Sequence, residues 1–184
     1  MVSSGVLMLL MTAMYALLTF GMRYYQTAQA AETVHQQAML GVRRLATELR
    51  LSNATTISYP SPPTSIIFLS ADQASATPGP WSHTSTGQLE WHKWVCYYLD
   101  GTNLIRSEQA LGAPVTLPPV PAPPALASFQ ALPDNRVVAR ELSALSIGAG
   151  SAPGLVELTI TARAATTTTK LTEFSLRTQT RMEN

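Results

Sequence analysis

The N-terminal stretch MVSSGVLMLLMTAMYALLTFGMR, residues 1–23, contains no charged side chain before Arg23. A bilayer hydrocarbon core about 30 Å thick is crossed by about 20 apolar residues of helix. The run from Val6 to Met22, preceded by weakly polar residues, meets that requirement. Its terminal position and its hydrophobicity on every side favour a membrane anchor. We therefore predict a transmembrane helix over residues 1–22.

Two other interpretations of this segment remain open. A signal peptide needs a basic start, a short apolar run and an A-x-A cleavage site. Ala28-Gln29-Ala30 supplies such a site, but no basic residue precedes Val6 and the apolar run is longer than usual. The second alternative is the buried helix of a soluble domain. The anchor remains the favoured prediction.

Residues 23–53 continue with a helical pattern of a different kind. Five apolar residues recur at intervals of four, four, three and four: Val34, Ala38, Val42, Leu45 and Leu49. This is one stripe of an amphipathic helix, expected to hold the helix against a sheet. No proline separates the two patterns, and Gly21 and Gly41 weaken a helix by about 1 kcal/mol each without ending it. One continuous helix from Val2 to Leu51, roughly 75 Å long, is predicted.

Short strands and turns dominate residues 58–184, which we predict to form a β-rich globular domain. Strands are expected at 65–70, 88–101, 104–108, 155–163 and 170–181. The segment 136–147 fits helix or strand, with a strand favoured over its second half. Asp100-Gly101 is suited to the turn of a hairpin over 88–108. The fold class is α+β, a long helix packed on a mostly antiparallel sheet of four to six strands.

Within this domain, the segment 88–101 gives the strongest prediction of a strand, because it is rich in aromatic and β-branched residues. It places one set of side chains on a single face: Leu89, Trp91, Val95, Tyr97 and Leu99, with Lys93 as the odd member. Residues 71–87 are expected to form a loop and 164–169 a link between strands. The proline-rich segment 112–125 is expected to be an extended loop crossing the surface.

Composition and motif spacing argue against catalysis and nucleic-acid binding. Charged residues make up 12% of the chain and the formal charge is +1, with no basic cluster to hold a phosphate backbone. His92 and Cys96 share a strand face about 13 Å apart, too far to bind one metal ion. Glu90, Asp100 and Glu108 fit a solvated hairpin edge. No nucleophile elbow or phosphate loop is present, so we expect no enzyme activity, metal site or cofactor.

Three stretches carry a resemblance to a known family: RRLATELRLSNA (43–54) at the end of the long helix, WVCYYLDGTNLIRSE (94–108) in the hairpin, and the C-terminal RMEN (181–184). With the N-terminal helix, they resemble the J-type minor pseudopilins of type II secretion and the related PilW-like minor pilins of type IV pili. The resemblance implies a pilin-like fold and a structural subunit assembling through its N-terminal helix, at or near a filament tip.

The resemblance also implies partners and a location. The expected partners are other minor pseudopilins or pilins, an inner-membrane assembly platform and the lipid bilayer. The expected location is the bacterial inner membrane, with the globular domain in the periplasm and the helix also in the assembled filament. Assembly contacts are expected along the apolar helix at Val6, Leu9, Leu10, Ala13, Leu17 and Phe20. The alternative function is a membrane-anchored or secreted binding module that grips a ligand with loops 71–87 and 112–125.

The sequence departs from the family at its start. Members carry a short basic leader, then Gly-Phe-Thr-Leu-Ile-Glu, then the apolar helix, whereas this chain begins Met1-Val2-Ser3-Ser4-Gly5. We expect Met1 to be an internal methionine of a longer gene product that supplies the leader and the Glu. A basic leader would also place the domain outside the cytoplasm, whereas Arg23, Arg43 and Arg44 by themselves favour the inside.

Overall fold

The computed structural model describes residues 2–60, 64–72, 83–152, 154–165 and 171–181. The elements in chain order are the helix α1 (Val2–Arg50), a 3₁₀ turn (Ala54–Thr56), the strands β1 (Ser65–Ser70), β2 (Trp91–Asp100) and β3 (Asn103–Val115), the short helix α2 (Leu126–Gln130), and the strands β4 (Arg136–Ala139), β5 (Leu142–Ala149), β6 (Leu155–Ala165) and β7 (Leu171–Arg181). The fold is α+β, as predicted: one long helix packs against antiparallel sheets.

The helix α1 is continuous from the apolar segment through the amphipathic one and ends one residue before the predicted end. Ser52 follows the last turn, and its Oγ donates a 2.8 Å hydrogen bond to the carbonyl oxygen of Leu69 in β1. Asn53 then caps the 3₁₀ turn by accepting a hydrogen bond from the Thr55 backbone N–H. The end of α1 is thus fixed to the first sheet.

The first sheet has the order β1-β2-β3-β4, with all neighbours antiparallel. The predicted hairpin turn is present, and Gly101 has the positive φ of 57° that favours glycine there. The strand β3 runs on to Val115, so the prediction of a loop from residue 112 was wrong at its start. Pro114 fits in this strand because β4 pairs only with Leu104–Arg106, which leaves the end of β3 at an edge.

The second sheet has the order β5-β6-β7. The segment 136–147, predicted as helix or strand, forms two strands that belong to different sheets. The chain changes sheet at Arg140-Glu141, where Glu141 adopts a φ of 60°. Hydrogen bonds fix this corner: the Leu142 N–H donates to the Thr102 carbonyl oxygen at 2.9 Å, and the Arg163 N–H donates to that of Glu141 at 2.8 Å.

Two predictions about the strands need correction. The described strands number seven, in sheets of four and three, because β4 and β5 divide at the corner instead of joining one sheet. Trp91 does not share a face with Val95 and Tyr97, because the pairing of β2 with β3 shifts between Trp91 and Lys93. Such an irregularity reverses which face the following residues occupy. Leu89 also packs with Trp91 on the face away from α1.

Two hydrophobic cores result from this arrangement. The larger one lies between α1 and both sheets and contains the buried faces of β5 and β6. The smaller one lies on the other face of the first sheet, where Trp91, Trp94 and Cys96 pack with Phe129 of α2. Both faces of β2 are therefore buried, which is why its sequence lacks a polar alternation.

Several predicted features lie outside the described residues. These are the centre of the loop 71–87 (residues 73–82), the middle of the turn 59–64 (residues 61–63), most of the link 164–169 (residues 166–169) and the C-terminal residues 182–184 of the RMEN motif.

Candidate functional site

The first half of α1 is an exposed apolar rod. Within the described chain, one helix is long and apolar enough to cross a membrane, and its most apolar window, near the N-terminus, has no residue buried against the domain. The side chains expected to make assembly contacts all point to solvent: Val6, Leu9, Leu10, Ala13, Leu17 and Phe20. At 100° per residue they lie on one face of the helix. This surface has no partner among the described parts of the same chain.

The second half of α1 is buried in the larger core. All five stripe residues are inaccessible or nearly so: Val34, Ala38, Val42, Leu45 and Leu49. Gly41 lets the helix approach both sheets, because a Cβ there would lie 3.2 Å from Leu104 Cδ2 and 3.4 Å from Ile160 Cδ1. The exposed and buried halves belong to one continuous helix.

A cluster of charged side chains joins α1 to the first sheet, and sequence reasoning missed it. Arg106 Nε donates to Glu48 Oε2 at 2.8 Å, and Arg106 Nη1 also donates to Glu108. Lys93 Nζ lies 2.7 Å from Glu108 Oε2 and 3.6 Å from Asp72 Oδ2. The side chains of Arg106 and Lys93 are each only 7% exposed. We call these five residues the interface charge cluster.

The prediction that Glu108 lies on a solvated hairpin edge was therefore wrong. Glu108 lies on the face of β3 that carries Leu104 and Arg106, and this face is directed toward α1. The sequence contained a signal for this placement. Arg106 and Glu108 follow Leu104 at intervals of two residues in β3, and Lys93 interrupts the apolar face of β2. A period-two pattern shows which side chains share a face, but it does not show what faces them.

The electrostatics of this cluster are those of a structural contact. Burial alone would raise the pKa of Glu108, but hydrogen bonds from Arg106 and Lys93 outweigh burial and lower that pKa. Burial also acts against the charged form of Arg106, and the charge of Glu48 overcomes it and raises the pKa of Arg106. The neighbouring Tyr97 has its pKa raised by burial and by Glu48. These groups therefore keep fixed protonation states at neutral pH.

Cys96 and His92, the candidate reactive side chains of β2, lie in different surroundings. Among the described residues, no group of three or more His, Cys, Asp and Glu side chains could hold a metal ion. Cys96 is buried, and burial raises the pKa of its thiol to about 12, so it is protonated at neutral pH. His92 instead lines a polar cleft of about 510 Å³ with Lys93, Glu108, Asp134 and Arg136. This cleft is a concave charged surface outside the core.

Comparison of the chain with protein-family models, curated proteins and solved structures yields no match.

Proposed function

We propose that this chain is a structural subunit of a filament, a minor pseudopilin of a type II secretion pseudopilus or a minor pilin of a type IV pilus. The observation that carries the proposal is the division of α1 into an exposed apolar half and a half that forms the core of the domain. A free domain in water would leave the whole apolar rod hydrated, which is unfavourable in proportion to its area. A membrane or neighbouring helices would cover it.

The same division supports a mechanism of assembly. The apolar half would wait in the bilayer and then exchange lipid for the helices of neighbouring subunits when the subunit is extracted. Hydrophobicity does not drive helices together within lipid, so close packing and polar contacts select the partners. Because α1 has no break between its halves and is fixed to the sheets by Gly41 and the interface charge cluster, a displacement of the apolar half would move the domain with it.

The proposal places the chain in the bacterial inner membrane as a single-pass protein with its domain in the periplasm. Its partners would be other minor pseudopilins or pilins and an inner-membrane assembly platform. The proposal includes no catalytic step and no cofactor.

A gene-replacement experiment tests this function. Deleting the gene in its host should abolish extracellular protein secretion or surface pili, and the unaltered gene should restore them. Leu10→Arg places a charge in the apolar half and should fail to restore either process. Leu40→Arg is the matched control, because Leu40 is 53% exposed on the domain half of the same helix. Normal secretion and normal pili in the deletion strain would overturn the proposal.

A second candidate is a membrane-anchored binding module, and the polar cleft is the observation that favours it. Asp134 and Arg136 line this cleft and are exposed, so their charges are accessible to a ligand. This candidate predicts that Asp134→Ala and Arg136→Ala abolish function. It also predicts that Leu10→Arg leaves function intact even when it releases the chain from the membrane. The filament proposal predicts the reverse pattern in the same complementation assay.

A further inference from the structure

The apolar half of α1 carries a tyrosine near its middle, Tyr15. Tyr15 is 71% exposed, and its hydroxyl makes no hydrogen bond with any described residue. At 1.5 Å per residue, Tyr15 lies about 12 Å along the axis from Arg23 and about 15 Å from Gly5. These distances place it near the middle of the segment that the proposed function puts in a bilayer. The following inference rests on that placement.

A hydroxyl at this depth is costly unless it finds a partner. Neither end of the segment is within reach of a tyrosine side chain, so the hydroxyl would remain in hydrocarbon. A hydroxyl in hydrocarbon without a hydrogen bond is strongly disfavoured. Polar side chains in membrane spans accordingly face other protein groups rather than lipid.

The other hydroxyls of this segment are already used within the helix. Thr12 Oγ1 donates to the Met8 carbonyl oxygen at 2.7 Å, and Thr19 Oγ1 donates to the Tyr15 carbonyl oxygen. Each threonine oxygen still has capacity to accept a hydrogen bond. The spacing of Thr12, Tyr15 and Thr19 places all three on one side of the helix. That side thus carries one hydroxyl donor that lacks an acceptor, and two threonine oxygens that already donate their hydrogens within the helix and can still accept a hydrogen bond.

We propose that this side of α1, the Tyr15 face, binds the same face of a second copy of the chain in a parallel pair. The face comprises Met8, Met11, Thr12, Tyr15, Leu18, Thr19 and Met22. Tyr15 of each copy donates its hydroxyl to a threonine oxygen of the other. Because donor and acceptors lie on a single face, the Tyr15 face of one copy is complementary to the Tyr15 face of another. Two copies inserted in one bilayer with the same orientation have parallel helices. The flexible methionine side chains fill the space around the hydrogen bonds.

The opposite side of the helix has no such requirement. It comprises Val6, Leu9, Leu10, Ala13, Leu17 and Phe20, which carry no side-chain hydrogen-bonding group. This side meets lipid in the paired state and remains free for other subunits in a filament. The two sides therefore differ in chemistry, and the difference makes the pairing testable.

The first experiment measures the association of the full chain in phosphatidylcholine vesicles, by energy transfer between copies fused to donor and acceptor fluorescent proteins at the C-terminus. Tyr15→Phe removes two hydrogen bonds from each pair and should weaken the pairing by about ten- to three-hundred-fold, the square of the effect of one hydrogen bond between membrane helices. Tyr24→Phe removes the same hydroxyl beyond Arg23, where water is accessible, and should leave the pairing unchanged. Equal association of Tyr15→Phe and the parent chain would overturn the inference.

The second experiment locates the contact by oxidative cross-linking. Met8→Cys and Met22→Cys lie on the Tyr15 face and should form dimers, whereas Leu10→Cys and Leu17→Cys on the opposite side should not. The parent chain is the blank, because its Cys96 is fully buried. Dimers formed through Leu10→Cys, or Met22→Cys cross-linked only to a different protein, would exclude the pairing of two copies.

Carbonate extraction of the same membranes separates the two possible failures. A chain that resists extraction but stays monomeric at every lipid ratio overturns the pairing and leaves the proposed membrane helix intact. A chain released by carbonate overturns the membrane helix itself, and the filament proposal with it.

Discussion

Replacing Arg106 by methionine tests whether the interface charge cluster stabilises the attachment of α1 to the first sheet. Methionine keeps an unbranched side chain of similar reach but removes the charge. Glu48 then loses its contact with Arg106, and Glu108 keeps only Lys93 as a cationic partner. Both carboxylates remain on the buried face, where an uncompensated charge is costly.

The expected cost is about 3 kcal/mol of unfolding free energy. Removing one partner of a buried ion pair costs about 3–5 kcal/mol. The lower end applies because Glu48 retains Arg44 at 2.7 Å and Glu108 retains Lys93. Arg44→Met is the matched control: Arg44 also pairs with Glu48, but its side chain is 55% exposed. A pair with such an exposed partner contributes about 1 kcal/mol or less.

The assay is urea unfolding of the full chain in detergent micelles, followed by tryptophan fluorescence. Trp91 and Trp94 are both buried in the domain and report its unfolding. With a slope of about 2 kcal/mol per molar urea, a loss of 3 kcal/mol lowers the midpoint by about 1.5 M. The slopes of parent and variants need to agree for this conversion to hold.

Two results would refute this reasoning. A cost for Arg106→Met no larger than that for Arg44→Met would show that the buried contact contributes no more than the exposed one. A higher midpoint for Arg106→Met would show that the cost of burying these charges exceeds their mutual attraction.

Three further predictions use the same unfolding assay. Leu45→Ala should cost about 2–5 kcal/mol because it opens a cavity in the larger core, whereas Leu40→Ala on the exposed side of α1 should stay within about 0.5 kcal/mol; equal costs would contradict the assigned burial. Gly41→Val should cost about 1–3 kcal/mol because its side chain would overlap both sheets, and an unchanged midpoint would show that α1 approaches them less closely. Glu108 has a lowered pKa in the folded state, so its contribution to the free energy of unfolding is complete above its ordinary pKa of 4.5 and is lost as the pH falls through the lowered value. Glu108→Gln should therefore flatten the acid side of the curve of stability against pH. An unchanged curve would exclude this role.

The sequence was sufficient for the features that depend on neighbours along the chain. A helix repeats every 3.6 residues, so the spacing of Val34, Ala38 and Val42 showed both the helix and the side that would be buried. The absence of a helix breaker between Met22 and Val34 likewise predicted one continuous element, which α1 is. Alternation in β6 placed Val156, Leu158 and Ile160 on a buried face for the same local reason.

Features that depend on distant segments were decided only by the tertiary structure. The contact of Glu48 with Arg106 joins residues 58 positions apart, and no local pattern specifies that pairing. The shift between Trp91 and Lys93 depends on how β2 aligns with β3, so alternation counted across it gave the wrong face for Trp91. The assignment of β4 and β5 to different sheets follows from the corner at Glu141, which hydrogen bonds to Thr102 and Arg163 hold in place.

The sequence by itself therefore determined the long N-terminal helix with its apolar and amphipathic halves, and the buried face of strands such as β6. The tertiary structure decided the order of strands, the division into two sheets and the partners of the buried charges. The physical reason is that hydrophobic periodicity is set by bond geometry within a few residues. Strand register and ion pairing depend instead on which remote segments meet, and that choice is made by packing the whole chain.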